Sequence, residues 1–96
     1  MNVKLIRFNF GQEVVAELVS ETDTEITIVN SLAAIPTSQG TVAFVPFVPL
    51  VDKGKDEVVI SKQHVIYVTD PSEQVVTQHR NAFSTVITPD SKSLIL

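Results

Sequence analysis

The sequence predicts a mainly β domain: a small, five-stranded, strongly bent antiparallel open barrel followed by one C-terminal helix. Three observations carry this. Period-two alternation recurs in short runs separated by turn residues. The apolar residues are mostly Val and Ile with five Phe, types that favour pleated, half-buried surfaces. A single helix-start signal appears, and it comes late, at Asp70-Pro71-Ser72-Glu73.

The first strand is expected over residues 2–10, where Ile6, Phe8 and Phe10 share one face. Asn9-Phe10-Gly11-Gln12 reads as a hairpin turn, with Gly11 free to take positive φ. Residues 13–20 alternate: Val14, Ala16, Leu18 and Ser20 lie on one face, Glu13, Val15, Glu17 and Val19 on the other. A polar loop at 20–24 leads to a third strand from Glu25, with Ile26 and Ile28 together. That run continues through Ala33, Ala34 and Ile35 to Pro36, and 37–40 form a turn. Residues 41–51 are strongly β-forming apart from Pro46 and Pro49. Proline donates nothing to a ladder, so this segment is expected at an edge or kinked. A polar turn at 52–56, in which Lys53 and Lys55 are balanced by Asp52 and Asp56, precedes an extended stretch over 57–69. Ser61-Lys62-Gln63 interrupts that stretch.

The helix is expected over about 71–84, with Asp70 as cap, Pro71 at the first helical position and Glu73 three after the cap. Val75, Val76, His79, Ala82 and Phe83 then form an apolar stripe. Residues 1–84 make one domain and 85–96 a tail, whose Leu94-Ile95-Leu96 is a candidate docking segment. Five short strands joined by tight turns mean a small barrel of SH3-like, Sm-like or OB type.

Composition bounds the function. Ninety-six residues fit one domain. The charged fraction of 19% is low, while 44% of residues are apolar, a balance expected of a chain that hides surface in an oligomer. The net charge of −4 excludes a whole-protein basic field, so nucleic-acid contact would need a local patch. Without Cys there is neither disulfide nor thiol chemistry. No secretory leader or membrane-length apolar run is evident, which leads to the expectation of a cytoplasmic protein with no membrane partner.

Chemistry is sparse. His64 and His79 lack partners at metal-ligand spacing. No Ser sits in a nucleophile elbow, and the glycines, Gly11, Gly40 and Gly54, are isolated. Glu13 and Glu17 share a strand face that reads as solvated. We therefore expect no enzyme, no metal and no cofactor. Lys62, Gln63 and His64, polar donors set between two apolar strands, are the exception.

Several segments resemble the Sm-like family. Residues 3–18, with Gly11 at the turn and a small Ala16 where the second strand bends, look like its first two strands, and 25–30 like its third. Residues 58–68, VVISKQHVIYV, are similar to the second motif of the bacterial Sm-like RNA chaperones, in which a Lys-His pair precedes the last strand. His64 matches that histidine, Gln63 stands where the chaperones have Lys, and Lys62 lies one place earlier. Phe47-Val48-Pro49-Leu50, an acidic turn, this loop and Asp70-Pro71 before a terminal helix look like small Sm-like proteins encoded by marine phages of cyanobacteria. The chain departs from the family in three places. Only Asp23 remains of the Asp-x-x-Met-Asn loop, the Arg-Gly of the archaeal and eukaryotic second motif is missing, and the helix follows the barrel.

The resemblance implies a homo-oligomeric ring of five to seven copies, the edges at 41–51 or 57–61 pairing with 64–69 of the next copy. It further implies that Lys62, Gln63 and His64, with Asp23 and Thr24 in the neighbouring loop, bind single-stranded RNA or DNA at the pore. A phage structural or adaptor protein using the barrel for protein contacts alone is the alternative.

Overall fold

A computed structural model describes residues 2–52 and 54–83. The tail and its Leu94-Ile95-Leu96 lie outside the described residues. The described residues form six antiparallel strands and one helix: β1 (Val3–Phe8), β2 (Glu13–Glu21), β3 (Glu25–Pro36), β4 (Val42–Pro46), β5 (Val58–Ser61), β6 (Val65–Thr69) and α1 (Glu73–Phe83). The fold class is the expected small, open, mainly β barrel with one C-terminal helix. The strands number six because Lys62–His64 forms a 3-10 turn that divides the stretch expected as one strand.

The sheet runs β4-β3-β2-β1-β6, and β5 also pairs with β3. β3 is long enough to serve both neighbours. Glu25 to Ile28 pair with β5, and Leu32 to Pro36 pair with β4. β4 ends at Pro46, as a residue without an N–H requires. It lies at an edge, pairing with β3 alone.

One face holds the core: Ile6, Phe8, Val14, Ala16, Ile26 and Ile28, with Leu18, Phe47, Val58, Ile60 and Val65 packed against them. The alternation of β1, β2 and β3 assigned the first six and Leu18 to this face. Phe8 stacks on Phe10 at 5.2 Å and on Phe47 at 5.7 Å between ring centroids. The shared Ile6, Phe8, Phe10 face is present, although Phe10 reaches solvent.

Two bulges bend the β2–β3 pair. Val15 pairs with Leu32 but Glu17 with Val29, so β3 carries an extra residue there; Leu18 pairs with Ile28 but Ser20 with Thr27, so β2 carries the next. Asn30 sits in the first bulge at φ 52°, the one non-glycine with positive φ among the described residues. Asn tolerates this region better than most residues. Ala16 lies on β2 opposite the bulge, the position where a small residue was expected to permit bending.

Between the β5-paired and β4-paired halves of β3, side chains replace the missing strand. The Asn30 N–H donates to Asp56 Oδ2 at 2.7 Å. Its carbonyl accepts from His79 Nε2 at 2.7 Å. Its side-chain amide donates to Glu17 Oε2 at 2.6 Å. The backbone N–H of Phe47 reaches Ser31 O at 3.1 Å. His79 is 1% exposed. Because Nε2 faces a carbonyl, it carries the ring proton.

α1 presents Val75, Val76, His79 and Phe83 inward, but Ala82, expected in the same stripe, is exposed. Its cap also differs from expectation. Ser72 Oγ accepts from Val75 N at 3.3 Å, and Ser72 O accepts from Val76 N at 3.0 Å. Asp70 instead accepts from Lys4 Nζ at 2.6 Å, across from β1. With Asp70 drawn to Lys4, the helix begins two residues later than a cap at that position would place it.

Two stability predictions follow from this arrangement. Ser72→Ala should cost ~1 kcal/mol as a lost cap, and Asp70→Ala ~0.5 kcal/mol or less as a lost surface ion pair. Urea unfolding that ranks them the other way would return the cap to Asp70. His79→Ala strands a buried carbonyl and opens a cavity. It should cost ~2–4 kcal/mol, and hydrogen exchange should quicken first in α1 and at Asn30. A loss under ~1 kcal/mol would show that α1 is held by other contacts.

Candidate functional site

The loop residues singled out in the sequence meet at one end of the barrel. Thr22 organises the β2–β3 turn. Its Oγ1 accepts from Glu25 N at 3.0 Å and Thr24 N at 3.3 Å, while Thr22 N donates to Glu25 O at 2.8 Å. The 3-10 turn Lys62–His64 begins at Ser61, whose Oγ accepts from Gln63 N at 3.4 Å. Ser61 pairs with Glu25, so β5 delivers this turn beside the β2–β3 turn. Lys62 N then donates to Thr24 O at 2.8 Å. From the third side, Asn9 N donates to His64 O at 2.9 Å, and Asn9 Nδ2 to Gln63 O at 3.4 Å.

All five candidate residues thus share one surface. Asp23, Thr24, Gln63 and His64 are exposed, and Lys62 is half-buried. The side chains of Asp23, Thr24, Gln63 and His64 bond to no other described residue, whereas the backbone beneath them is pinned from three sides. This gives exposed donors on a fixed frame, suited to contacts that are not committed within the fold.

The electrostatics were not evident from the motif alone. Lys62 Nζ pairs with Glu21 Oε2 at 2.6 Å. Glu21, Asp23 and Glu25 lie on or beside the same β2–β3 turn and outnumber that one lysine, so the local charge is acidic. Glu21 falls within the polar loop expected at 20–24 but ends β2, directly before the turn that carries Asp23, and its closeness to Asp23 in the sequence is the available signal. Asn9 was likewise read only as a turn residue, yet it anchors the 3-10 turn. Among the described residues no three His, Cys, Asp or Glu side chains gather as a metal site would need. Nor is any helix among the described residues long and apolar enough to cross a membrane.

The sheet margins are the second notable surface. β4 and β5 leave one side unpaired, β6 the other. Val42, Val45 and Val59 are exposed on the first, Ile66, Tyr67 and Val68 on the second. Beside β6, Arg7 stands in register with both Glu13 and Tyr67. The Tyr67 hydroxyl donates to Glu13, and Arg7 lies 3.8 Å from the same carboxylate.

This bond to Glu13 raises the Tyr67 pKa above its ordinary value of 10.0, with desolvation and the carboxylate's charge acting in the same direction and Arg7 opposing them. The raised folded-state pKa means that its contribution to stability is complete below the unfolded pKa and is lost as pH rises through the folded one. The chain has one tyrosine, so its ultraviolet titration is unambiguous. The midpoint should exceed ~10, and Glu13→Gln should lower it. An unchanged midpoint in that variant would remove Glu13 as the cause. A scan against protein-family models and a search of curated proteins both find no match to this chain.

Proposed function

We propose that this chain is an Sm-like module that assembles side by side into a homo-oligomeric ring of five to seven copies and binds single-stranded RNA, or DNA through the same contacts, at pore-facing loops. The observation that carries the reading is the union of the 22–24 turn with the 3-10 turn through Lys62 N and Thr24 O at 2.8 Å. That bond supports the reading because it holds the turn carrying Asp23 and Thr24 beside the turn carrying Lys62, Gln63 and His64. The two unpaired margins with exposed apolar side chains support assembly, because raw strand edges are otherwise an aggregation hazard. A head-to-tail contact between β4 or β5 of one copy and β6 of the next closes when its rotation divides a circle. Lys62 would exchange Glu21 for a phosphate, while Gln63 and His64 contact phosphate or base edges. Repetition around the ring adds weak contacts by multivalency.

The Lys62–Glu21 pair and the acidic surroundings favour a second reading: a structural or adaptor module, of the kind a phage assembly uses, whose barrel makes protein contacts alone. Light scattering and filter binding separate the cases. The ring reading expects a solution mass of several copies and retention of oligo-U or oligo-A at low salt. Lys62→Ala should weaken retention about tenfold and flatten its salt dependence by about one phosphate contact. A monomer at working concentration would end the ring reading. A ring that retains neither oligonucleotide would leave the adaptor.

A further inference from the structure

The break between β4 and β5 opens a cavity of about 610 Å³, away from the loops that carry Lys62 and Asp23. This is within the ~300–1,000 Å³ of small-molecule sites. Its apolar lining comes from β3, from the segment after Pro46 and from the end of α1 at Phe83. The polar side chains that line it are Asn30, Ser31, Asp52 and Asp56.

These groups are unequal in what they have left to offer. The Asn30 amide is already given to Glu17, and Asp56 Oδ2 already accepts from Asn30 N. Asp56 Oδ1 and the whole Asp52 carboxylate have no partner among the described residues. Ser31 is 3% exposed, and its Oγ is buried without a hydrogen bond. The other buried atom without a partner among the described residues, His79 Nδ1, belongs to a residue that does not line the cavity. No Lys, Arg or His is among the described residues lining the cavity. The remaining capacity is therefore anionic and rich in acceptors, set against an apolar lining. An occupant must bring N–H donors, positive charge and apolar surface together.

From this we infer that the cavity binds a small organic cation: an ammonium or guanidinium group on an aliphatic or aromatic body. The charged end meets Asp52 and Asp56 and donates to Ser31 Oγ. The body lies against Leu32 and Phe83. The site is separate from the loop surface, so it stands whether or not the chain binds nucleic acid.

The test is an amide-shift titration of the ¹⁵N-labelled full chain with phenethylammonium and butylguanidinium, beside phenethyl alcohol as the neutral isostere. Saturable shifts should fall on residues 30–32, 46–52 and 82–83, not on 62–64. Each cation should bind about tenfold more tightly than the alcohol, the difference that ~1.4 kcal/mol makes. Asp52→Asn should remove about that factor, since one charge-assisted bond is lost. Ser31→Ala should cause a smaller loss of about threefold, at the lower end for a single neutral bond. Both variants should keep the parent spectrum elsewhere, because neither side chain bonds within the fold. Equal affinity for alcohol and ammonium, unchanged binding in Asp52→Asn, or shifts confined to residues 62–64 would each overturn the assignment.

Discussion

The backbone of Asn30 is the point on which the rest of the structure turns. A long strand that must serve β5 at one end and β4 at the other has to bend between them, and the bend leaves backbone groups without a neighbouring strand. A buried carbonyl or N–H without a partner costs ~1–3 kcal/mol. The chain meets that cost with side chains from two places, Asp56 from the polar turn and His79 from the helix, while Glu17 on β2 accepts from the Asn30 side-chain amide. The helix is thereby fastened to the sheet at its most distorted residue, and the turn after β4 is drawn over the same spot. The cavity lies where these contacts take the place of ladder pairing between the β4 and β5 segments.

Much of this was legible because the sheet uses simple alternation where it is regular. Val14, Ala16 and Leu18, and Ile26 and Ile28, sit on the core face that period two assigns them. Pro46 ended a strand and placed it at an edge for the reason a missing N–H gives. What alternation does not reveal is the bulge. Val15 and Leu32 face away from Val14 yet are buried as well. Nothing local marks Asn30 for a left-handed conformation beyond its being an asparagine in a β-branched run. The exact helix cap was hidden for another reason. Asp70-Pro71 and Ser72 are both acceptable starts, and the choice between them depends on Lys4, which is remote in sequence and adjacent in space.

The candidate loop surface was legible as a set of residue types, but its electrostatics were not. Lys62, Gln63 and His64 read as donors between strands, and register does bring them to Asp23 and Thr24. The Lys62–Glu21 contact depends on β5 lying beside the first half of β3, a long-range pairing that spacing does not reveal. The same pairing that assembles the surface also lowers its positive charge. For a phosphate-binding surface this is an adverse term, since a ligand must displace a carboxylate 2.6 Å away before it gains the lysine.

That term bears on why assembly matters to the functional reading. A single copy offers one partly satisfied lysine and a few neutral donors under a net charge of −4, too little to hold a polyanion against screening at physiological salt. A ring changes the comparison without changing any contact. Each additional copy engages a strand already held, at an effective concentration fixed by the spacing of the loops. It also explains a composition that a lone barrel would not need. Exposed Val42, Val45 and Val59 on one margin, and Ile66 and Val68 on the other, are costly in a monomer but useful where margins meet. In the proposed ring, binding at the loops and burial at the margins would therefore be coupled: the copies that cover one another's apolar edges would be the same copies that supply avidity for a polyanion.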